Sequence, residues 1–542
     1  MVADPPSPPN TQDPPERLVQ RTAQVSVGAT NTLRVPGDPF RSESIWFNAD
    51  FVPIERCKDE SKPEKMPPVR QGNEVKYLID GKEAFQDMVD AIESATNSEE
   101  HFIYFLNWWF DDSFDLPKRR INQFTTLSEL LSLASGSGGR GVMVRAMLWD
   151  QLRSQQNDAE VANINSLING AAIRDNRGNE SVPVPLIRDL PYHVGSQHQK
   201  VLCVNGENGL IAFCGGIDFN ADRIQSQVEL AANREHIQSG APMHDVHCRI
   251  RGPAASDMLR TFVERWNDHP DGIEHNQSDK GPLIVPDDVT QSYGSHIVQI
   301  SRTFGDNGYA FAPDGERTAR EMIRHAIDQA KRFIYVEDQY FVGNPEVQES
   351  LIQALNNGIR YLIVLITHWR ISDLPLVQQH RREFISRLRQ ADNDGQGNRV
   401  QVFYLVPEGV SDEELATGAV PHTYVHAKTW IIDDEFAVIG SVNTNRRSWS
   451  HDSEIAAGIY DTSSSKLLTY RLAHWLRIKL WQEHLNMRSA EGAAELADGV
   501  SSTVHWLHRP PGARVQPYDI NEQGDVAPIL PPFLYDIFAD PD

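Results

Sequence analysis

Between Gly81 and Ala95 the apolar residues Phe85, Met88, Val89 and Ile92 recur at helical spacing. The run HFIYFLNWWF, starting at His101, then has the apolar character of a buried strand. The same order returns later: Ala319, Met322, Ile323 and Ile327 lie between Glu316 and Ala330, and RFIYVEDQYF starts at Arg332. Each pair precedes another helix and strand, SELLSLAS before GVMVRAMLWD and VQESLIQALNNG before IRYLIVLITHW. Strands alternating with helices predict an α/β fold with a largely parallel or mixed sheet. A repeat of this length predicts two similar lobes, each a mixed sheet flanked by helices, related by a pseudo-twofold with the site in the cleft between them. The expected boundaries are a Pro-rich arm over 1–40, a first lobe over 41–285, a second over 286–490, and an extended tail over 491–542 packed on the lobes.

Composition narrows the class. The chain has 542 residues, 40% hydrophobic and 23% charged, and contains no apolar run long enough to span a bilayer as a helix. Its formal charge of -24 repels a polyphosphate backbone, so nucleic acid is not the expected partner. Cys57, Cys203, Cys214 and Cys248 show no metal-binding or disulfide spacing and read as buried thiols. The start, MVADPPSPPNTQDPPERL, has neither a basic end nor an apolar stretch of the Sec signal type. The expectation is a soluble protein, cytoplasmic or exported by another route, with a monomer favoured.

Near the end of each predicted lobe stands one constellation: HQKVLCVN from His198 followed by CGGID, and HAKTWIID from His426 followed by IGSVN. Side chains two apart on a strand share a face, so His198 stands beside Lys200 and His426 beside Lys428. Two such pairs suit attack on a phosphodiester. One neutral imidazole attacks phosphorus, a second, protonated one donates to the leaving oxygen, and two ammonium groups hold the anionic oxygens. Gly215, Gly216, Gly440 and Ser441 are expected to let main-chain N–H groups approach the phosphate, and Asn443 to add its amide.

These motifs resemble the HxKxxxxD signature of the phospholipase D superfamily, and His426, Lys428, Asp433 and the GSVN at Gly440 match it without exception. MHDVHCRIRGPAASDMLRTFVERWN from Met243 and FIYVEDQYF from Phe333 resemble its phosphatidylcholine-cleaving branch, and the matching regions cover most of residues 75–485. The resemblance implies a covalent phosphohistidine, no cofactor and no metal, with His198 as nucleophile and His426 as general acid and then base. It also implies that Asp245 and Glu454 orient the histidines, the pairing left open, and that Gln339 lines the pocket or is a structural amide. The implied substrate is a glycerophospholipid in membranes or micelles, phosphatidylcholine or phosphatidylethanolamine, met through transient surface contact and cleaved to phosphatidate and headgroup alcohol, with transfer to other alcohols. Trp108, Trp109 and Phe110 in NWWFDD, and RISDLPL around Leu374, are candidates for apolar contact with lipid, burial being preferred for the tryptophans.

Two departures stand out. Asn205 occupies the place of the first signature Asp, with a longer turn behind it in which Glu207 could substitute, and Asp218 stands opposite Asn443. The triplet His244, Asp245 and His247 is not expected to bind metal, because neighbouring strand positions face opposite ways, setting Asp245 and His247 on one face and His244 on the other. Competing readings are a cardiolipin-synthase-like phosphatidyltransferase, a nucleic-acid phosphodiesterase, and an inactive lipid-binding protein.

Overall fold

The computed structural model describes residues 41–48, 51–53, 63–120, 123–149, 156–168, 170–175, 195–223, 243–279, 281–286, 291–306, 308–372, 377–392, 398–410, 413–414, 422–463 and 471–522. The Pro-rich arm, Cys57, Leu374 and residues 523–542 lie outside them.

The first half of the chain supplies strands β1 (Val69–Ile79), β2 (Phe102–Asn107), β3 (Met143–Trp149), β4 (Ala171–Asp175), β5 (Val201–Gly206), β6 (Gly209–Gly215) and β7 (Val246–Arg251). The second half supplies β8 (His296–Thr303), β9 (Phe333–Asp338), β10 (Tyr361–Ile366), β11 (Val400–Leu405), β12 (Lys428–Ile432), β13 (Phe436–Gly440) and β14 (Glu454–Asp461), and β15 (Val515–Pro517) follows. Their order is β4-β3-β2-β5-β6-β7-β1-β8-β14-β13-β12-β9-β10-β11-β15. Outward from the β1/β8 pair, the two halves repeat the same sequence of strands, with the parallel ladders falling on β2-β3-β4 and on β9-β10-β11. Two mixed-sheet lobes, as the repeat predicts, are therefore joined edge to edge.

Strand β1 is the seam. Val69, Arg70 and Asn73 pair with β8, while Glu74 to Ile79 pair with β7. The helices follow from their apolar stripes. In α1 (Asp80–Glu93) Phe85, Met88, Val89 and Ile92 are buried, and in α3 (Thr318–Asp328) Ala319, Met322, Ile323 and Ile327 are. Between these two in the chain, α2 (Pro253–Asp268) is buried on most sides, as is α4 (Leu472–His484). Both belong to a central cluster that also takes side chains from β6 and β7 of one lobe and β12, β13 and β14 of the other. Two outer clusters, one per lobe, back the sheets. The sheet thus folds across its seam so that one apolar layer is shared by both lobes, which fixes the strand ends that carry the histidine motifs.

After Ala490 the chain is not simply extended. It forms the short helices Ala490–Glu495 and Val504–Leu507 before β15 adds to the edge of β11.

The signature positions Asp433 and Asn205 lie at the far ends of β12 and β5 from the lysines, about 17 Å along an extended strand of five residues. Asp433, at φ 56°, accepts the N–H groups of Lys331, Arg332 and Phe333 at 2.7–2.8 Å and pairs with Arg41 at 2.5 Å. Asn205 reverses the polarity, donating its amide to the Glu100 carbonyl at 2.9 Å. Glu207 does not replace the missing acid. It accepts from the Thr96 hydroxyl at 2.7 Å. The connection is longer in this lobe, as read, but the added residues extend the ladder to Gly206 and Gly209 around a two-residue turn. Asn205 is thus a local structural solution remote from the lysine. Asn205→Asp is expected to lower stability by about 1 kcal/mol in urea unfolding, by setting a carboxylate against a carbonyl, and to leave turnover unchanged. Asp433→Ala is expected to cost about 2–3 kcal/mol in urea unfolding, because three main-chain N–H groups lose their acceptor while Arg41 keeps Glu435 and the Gln329 carbonyl.

Candidate active site

Residues 195–200 precede β5, and Lys428 is the first residue of β12, so both motifs occupy strand entries rather than strand interiors. Alternation still holds. Gln197 and Gln199 share one face, where both side-chain oxygens accept from Arg265 of α2 at 2.5 and 2.6 Å, leaving His198 and Lys200 on the other. Two main-chain clasps bring the motifs together across the lobes: the His198 N–H donates to the Ser453 carbonyl at 3.0 Å, and the His426 N–H to that of His244 at 2.7 Å.

Each imidazole takes its carboxylate from the opposite lobe. His198 Nδ1 lies 2.9 Å from Glu454 Oε1, and His426 Nδ1 lies 2.8 Å from Asp245 Oδ2. All four side chains are buried. A carboxylate at Nδ1 selects the tautomer with Nδ1–H, which turns the Nε2 lone pair outward. Both Nε2 atoms, and both amide atoms of Asn443, are buried without a hydrogen-bond partner among the described residues. Leaving buried polar atoms unpaired costs about 1–3 kcal/mol each, so this is a surface arranged for a polar ligand.

The lysines are held from behind. Lys200 Nζ donates to the His198 carbonyl at 3.1 Å and lies 3.6 Å from Asp218. Lys428 Nζ donates to the His426 carbonyl at 2.6 Å and to Gln339 Oε1 at 3.0 Å. Gln339 is thus a lysine holder, its own amide donating to the Tyr424 hydroxyl at 2.7 Å. Burial, followed by the charges of Lys200, Lys428, Arg447 and Arg223, holds His198 well below the usual imidazole range. Burial, then Arg223 and the two lysines, does the same to His426. An arriving phosphate anion reverses part of this field and favours a proton on one ring.

Four of the expected phosphate contacts need correction. Gly216 and Ser441 do not offer main-chain donors to a ligand: the Gly216 N–H goes to the Val246 carbonyl at 3.2 Å and the Ser441 N–H to that of Ile455 at 2.9 Å. Gly216 instead makes room for the carboxylate that holds His426, since a Cβ there would lie 2.1 Å from Asp245 Oδ1. The Ser441 hydroxyl donates to Glu454 Oε2, bracing the other carboxylate. Gly215 and Gly440 likewise allow close strand packing, their missing Cβ positions falling against His247 and Ile455.

Asp218 is neutralised, as repulsion from phosphate requires. It accepts from Arg223 at 3.2 Å and from the N–H groups of Trp108 and Trp109 at 3.2 and 3.3 Å. Trp108 and Phe110 are buried, and the Trp108 ring lies 5.8 Å from Lys200 Nζ, so the NWW segment forms part of the site's wall. His244, Asp245 and His247 diverge toward separate partners, Asp80 and Glu337 for the first, His426 for the second and the Ile217 N–H for the third. Cys203, Cys214 and Cys248 are buried free thiols.

A family model described as "Phospholipase D" matches residues 95–365, half of the chain, and one described as "Cardiolipin synthase, PLD-like domain" matches residues 323–475. The chain belongs to the phospholipase D superfamily. It is 24% identical over 523 residues to phospholipase D alpha 2 of Arabidopsis thaliana, covering 74% of this chain and 64% of that one. It is 25% identical over 533 residues to phospholipase D alpha 1 of Vigna unguiculata, with the same coverage. The chain therefore spans a little under two thirds of these relatives' length. Among solved structures it is similar to phosphatidylserine synthase of Haemophilus influenzae Rd KW20, with a TM-score of 0.48, 14% identity, and coverage of 80% of this chain and 94% of that one.

Within this superfamily member, Arg223, Arg265 and Ser453 serve the site without having been singled out from the sequence. Arg223, five residues beyond Asp218, had one available signal: a cation close behind an acid that needs neutralising.

Asp245 is pushed up to about 6 by burial, against Lys428 and Arg223. The Asp245–His426 pair therefore carries a shared proton below about pH 6 and loses it as pH rises through that value. If His426 must deliver that proton, kcat/KM falls by about tenfold per pH unit above that point. Asp245→Asn is expected to abolish this limb of the pH profile along with most of the rate. A wild-type profile flat from pH 5 to 8 contradicts the assignment.

Proposed function

We propose that this protein is a phospholipase D-type phosphodiesterase that cleaves glycerophospholipids to phosphatidate and a free headgroup alcohol. The observation that carries the reading is the pair of buried Nε2 atoms, unpartnered among the described residues, each backed by a carboxylate and flanked by a lysine. Phosphatidylcholine and phosphatidylethanolamine are the proposed substrates, presented by membranes or micelles in transient contact with the protein. The similarity to plant proteins named phospholipase D supports this choice, and the charge of -24 disfavours nucleic acid.

His198 Nε2 attacks phosphorus while Lys200, Lys428 and Asn443 hold the nonbridging oxygens. The bond from phosphorus to the headgroup oxygen breaks, and the proton on His426 Nε2 passes to that oxygen. Neutral His426 then takes a proton from water, whose oxygen displaces His198 from phosphorus and restores both rings. Glu454 stabilises the charge that grows on His198. The shared proton on the Asp245–His426 pair supports giving the acid role to His426. Charge neutralisation falls to the lysines, so chemistry without a metal is proposed.

A second reading, transfer of the phosphatidyl group to a lipid alcohol, is favoured by the cardiolipin-synthase-type match over residues 323–475. It needs the same residues with an alcohol in the place of water.

Matched vesicles of phosphatidylcholine, phosphatidylethanolamine, phosphatidylserine and phosphatidylglycerol test both readings by headgroup release and product analysis. Phosphatidate with free choline or ethanolamine is expected, undiminished by excess EDTA. Phosphatidyl transfer dominating with competing glycerol or phosphatidylglycerol would select the second reading. His198→Ala is expected to lose about 10³-fold or more in kcat. Phosphate label trapped during turnover is expected on His198 and absent from that variant.

A further inference from the structure

Behind His426, away from the reacting atoms, lies a buried chain of titratable groups that the phosphodiester chemistry does not use. His244 Nε2 is 3.0 Å from Glu337 Oε2, and its Nδ1 is 2.9 Å from Asp80 Oδ1. Glu337 also accepts from His484 Nε2 at 2.9 Å and from the Tyr335 hydroxyl at 2.6 Å. Asp80, at φ 60°, and Glu483 of α4 both line a cleft of about 500 Å³, with Lys82, Glu83, Lys479 and Arg488 among its other walls. The ligating atoms of Asp80, His244 and Glu483 all lie within 4.8 Å of one another.

We propose that Asp80, His244 Nδ1 and Glu483 form a binding site for a divalent transition-metal ion of the zinc type, entered from this cleft. Three features favour it. First, Glu337 acts on His244 as an outer carboxylate acts in a metal site: by accepting Nε2–H it fixes the ring so that Nδ1, bonded here to Asp80, faces the two acids.

Second, three acids gather around one imidazole: Asp80 and Glu337 bond His244 directly, and Glu483, paired with Arg514 at 2.5 Å, lies beside them. Third, one imidazole nitrogen and two carboxylates suit Zn²⁺, Co²⁺ or Mn²⁺, whereas Ca²⁺ and Mg²⁺ prefer oxygen alone. The open cleft supplies the remaining positions from water.

Such an ion would tie α1 and His244 of lobe one to α4 of lobe two. The His244 carbonyl accepts the His426 N–H, and Asp80 accepts the N–H of Asp245 at 3.1 Å. The ion would therefore stabilise the lobe junction beside the His426–Asp245 pair without touching substrate and without being required for turnover.

Titration of the full chain with Co²⁺, followed by visible absorption, is expected to saturate at one ion and to raise the thermal midpoint by several degrees. In Asp80→Asn and Glu483→Gln, checked as folded by circular dichroism, affinity is expected to fall about ten- to a hundred-fold. It is expected to persist in a His198→Ala, His426→Ala double variant, which separates this site from the phosphodiester site. No saturable band below millimolar Co²⁺, or equal affinity in the Asp80 and Glu483 variants, overturns the proposal. Should those variants not fold, anomalous diffraction from a Zn²⁺-soaked wild-type crystal decides it. A peak between Asp80 and Glu483 is expected, and a peak elsewhere or none refutes the site.

Discussion

Each histidine of the site is completed by a carboxylate from the other lobe, and the rest of the structure is organised to keep that exchange in register. His198 reaches Glu454 across 256 residues of chain, and His426 reaches Asp245 across 181. A buried imidazole with a mobile carboxylate would lose its tautomer, and with it the direction of its free nitrogen. The seam at β1, the shared apolar layer and the main-chain clasps at His244 and Ser453 all act on this one requirement. The site is accordingly complete only with both lobes in place.

The pseudo-twofold relates positions whose chemistry has diverged. Gly216 and Ser441 are counterparts, yet the first makes space for Asp245 and the second fills that space with a hydroxyl bonded to Glu454. Asp218 and Asn443 are counterparts as well. The acid is consumed by Lys200, Arg223 and the main-chain N–H groups of Trp108 and Trp109, while the amide has both polar atoms unbonded among the described residues. A duplicated frame with unequal fillings gives the two histidines different electrostatic surroundings, which an attacking group and a proton donor need.

Asn205 replaces a signature residue at a distance from the lysine of its motif. Asp433 gathers three N–H groups and a guanidinium at the foot of its strand, whereas Asn205 donates to one carbonyl in a lobe whose hairpin is lengthened and tightly closed. Both positions support strands rather than the phosphate site, because five extended residues separate them from the lysines.

The sequence by itself determined the α/β alternation, the duplication, the two histidine–lysine pairs and their shared faces, because these depend on spacings of two to four residues that local backbone geometry enforces. It also exposed Asn205 and Asp218 as departures, and showed that His244, Asp245 and His247 could not converge. Only the tertiary structure decided which acid serves which histidine, that Gly216 and Ser441 support carboxylates instead of a ligand, and that Gln339 holds Lys428. It alone placed Arg223, Arg265 and the Asp80–His244–Glu337 chain around the site. These contacts join residues tens to hundreds of positions apart, and their geometry follows from how two lobes pack, which no local spacing encodes.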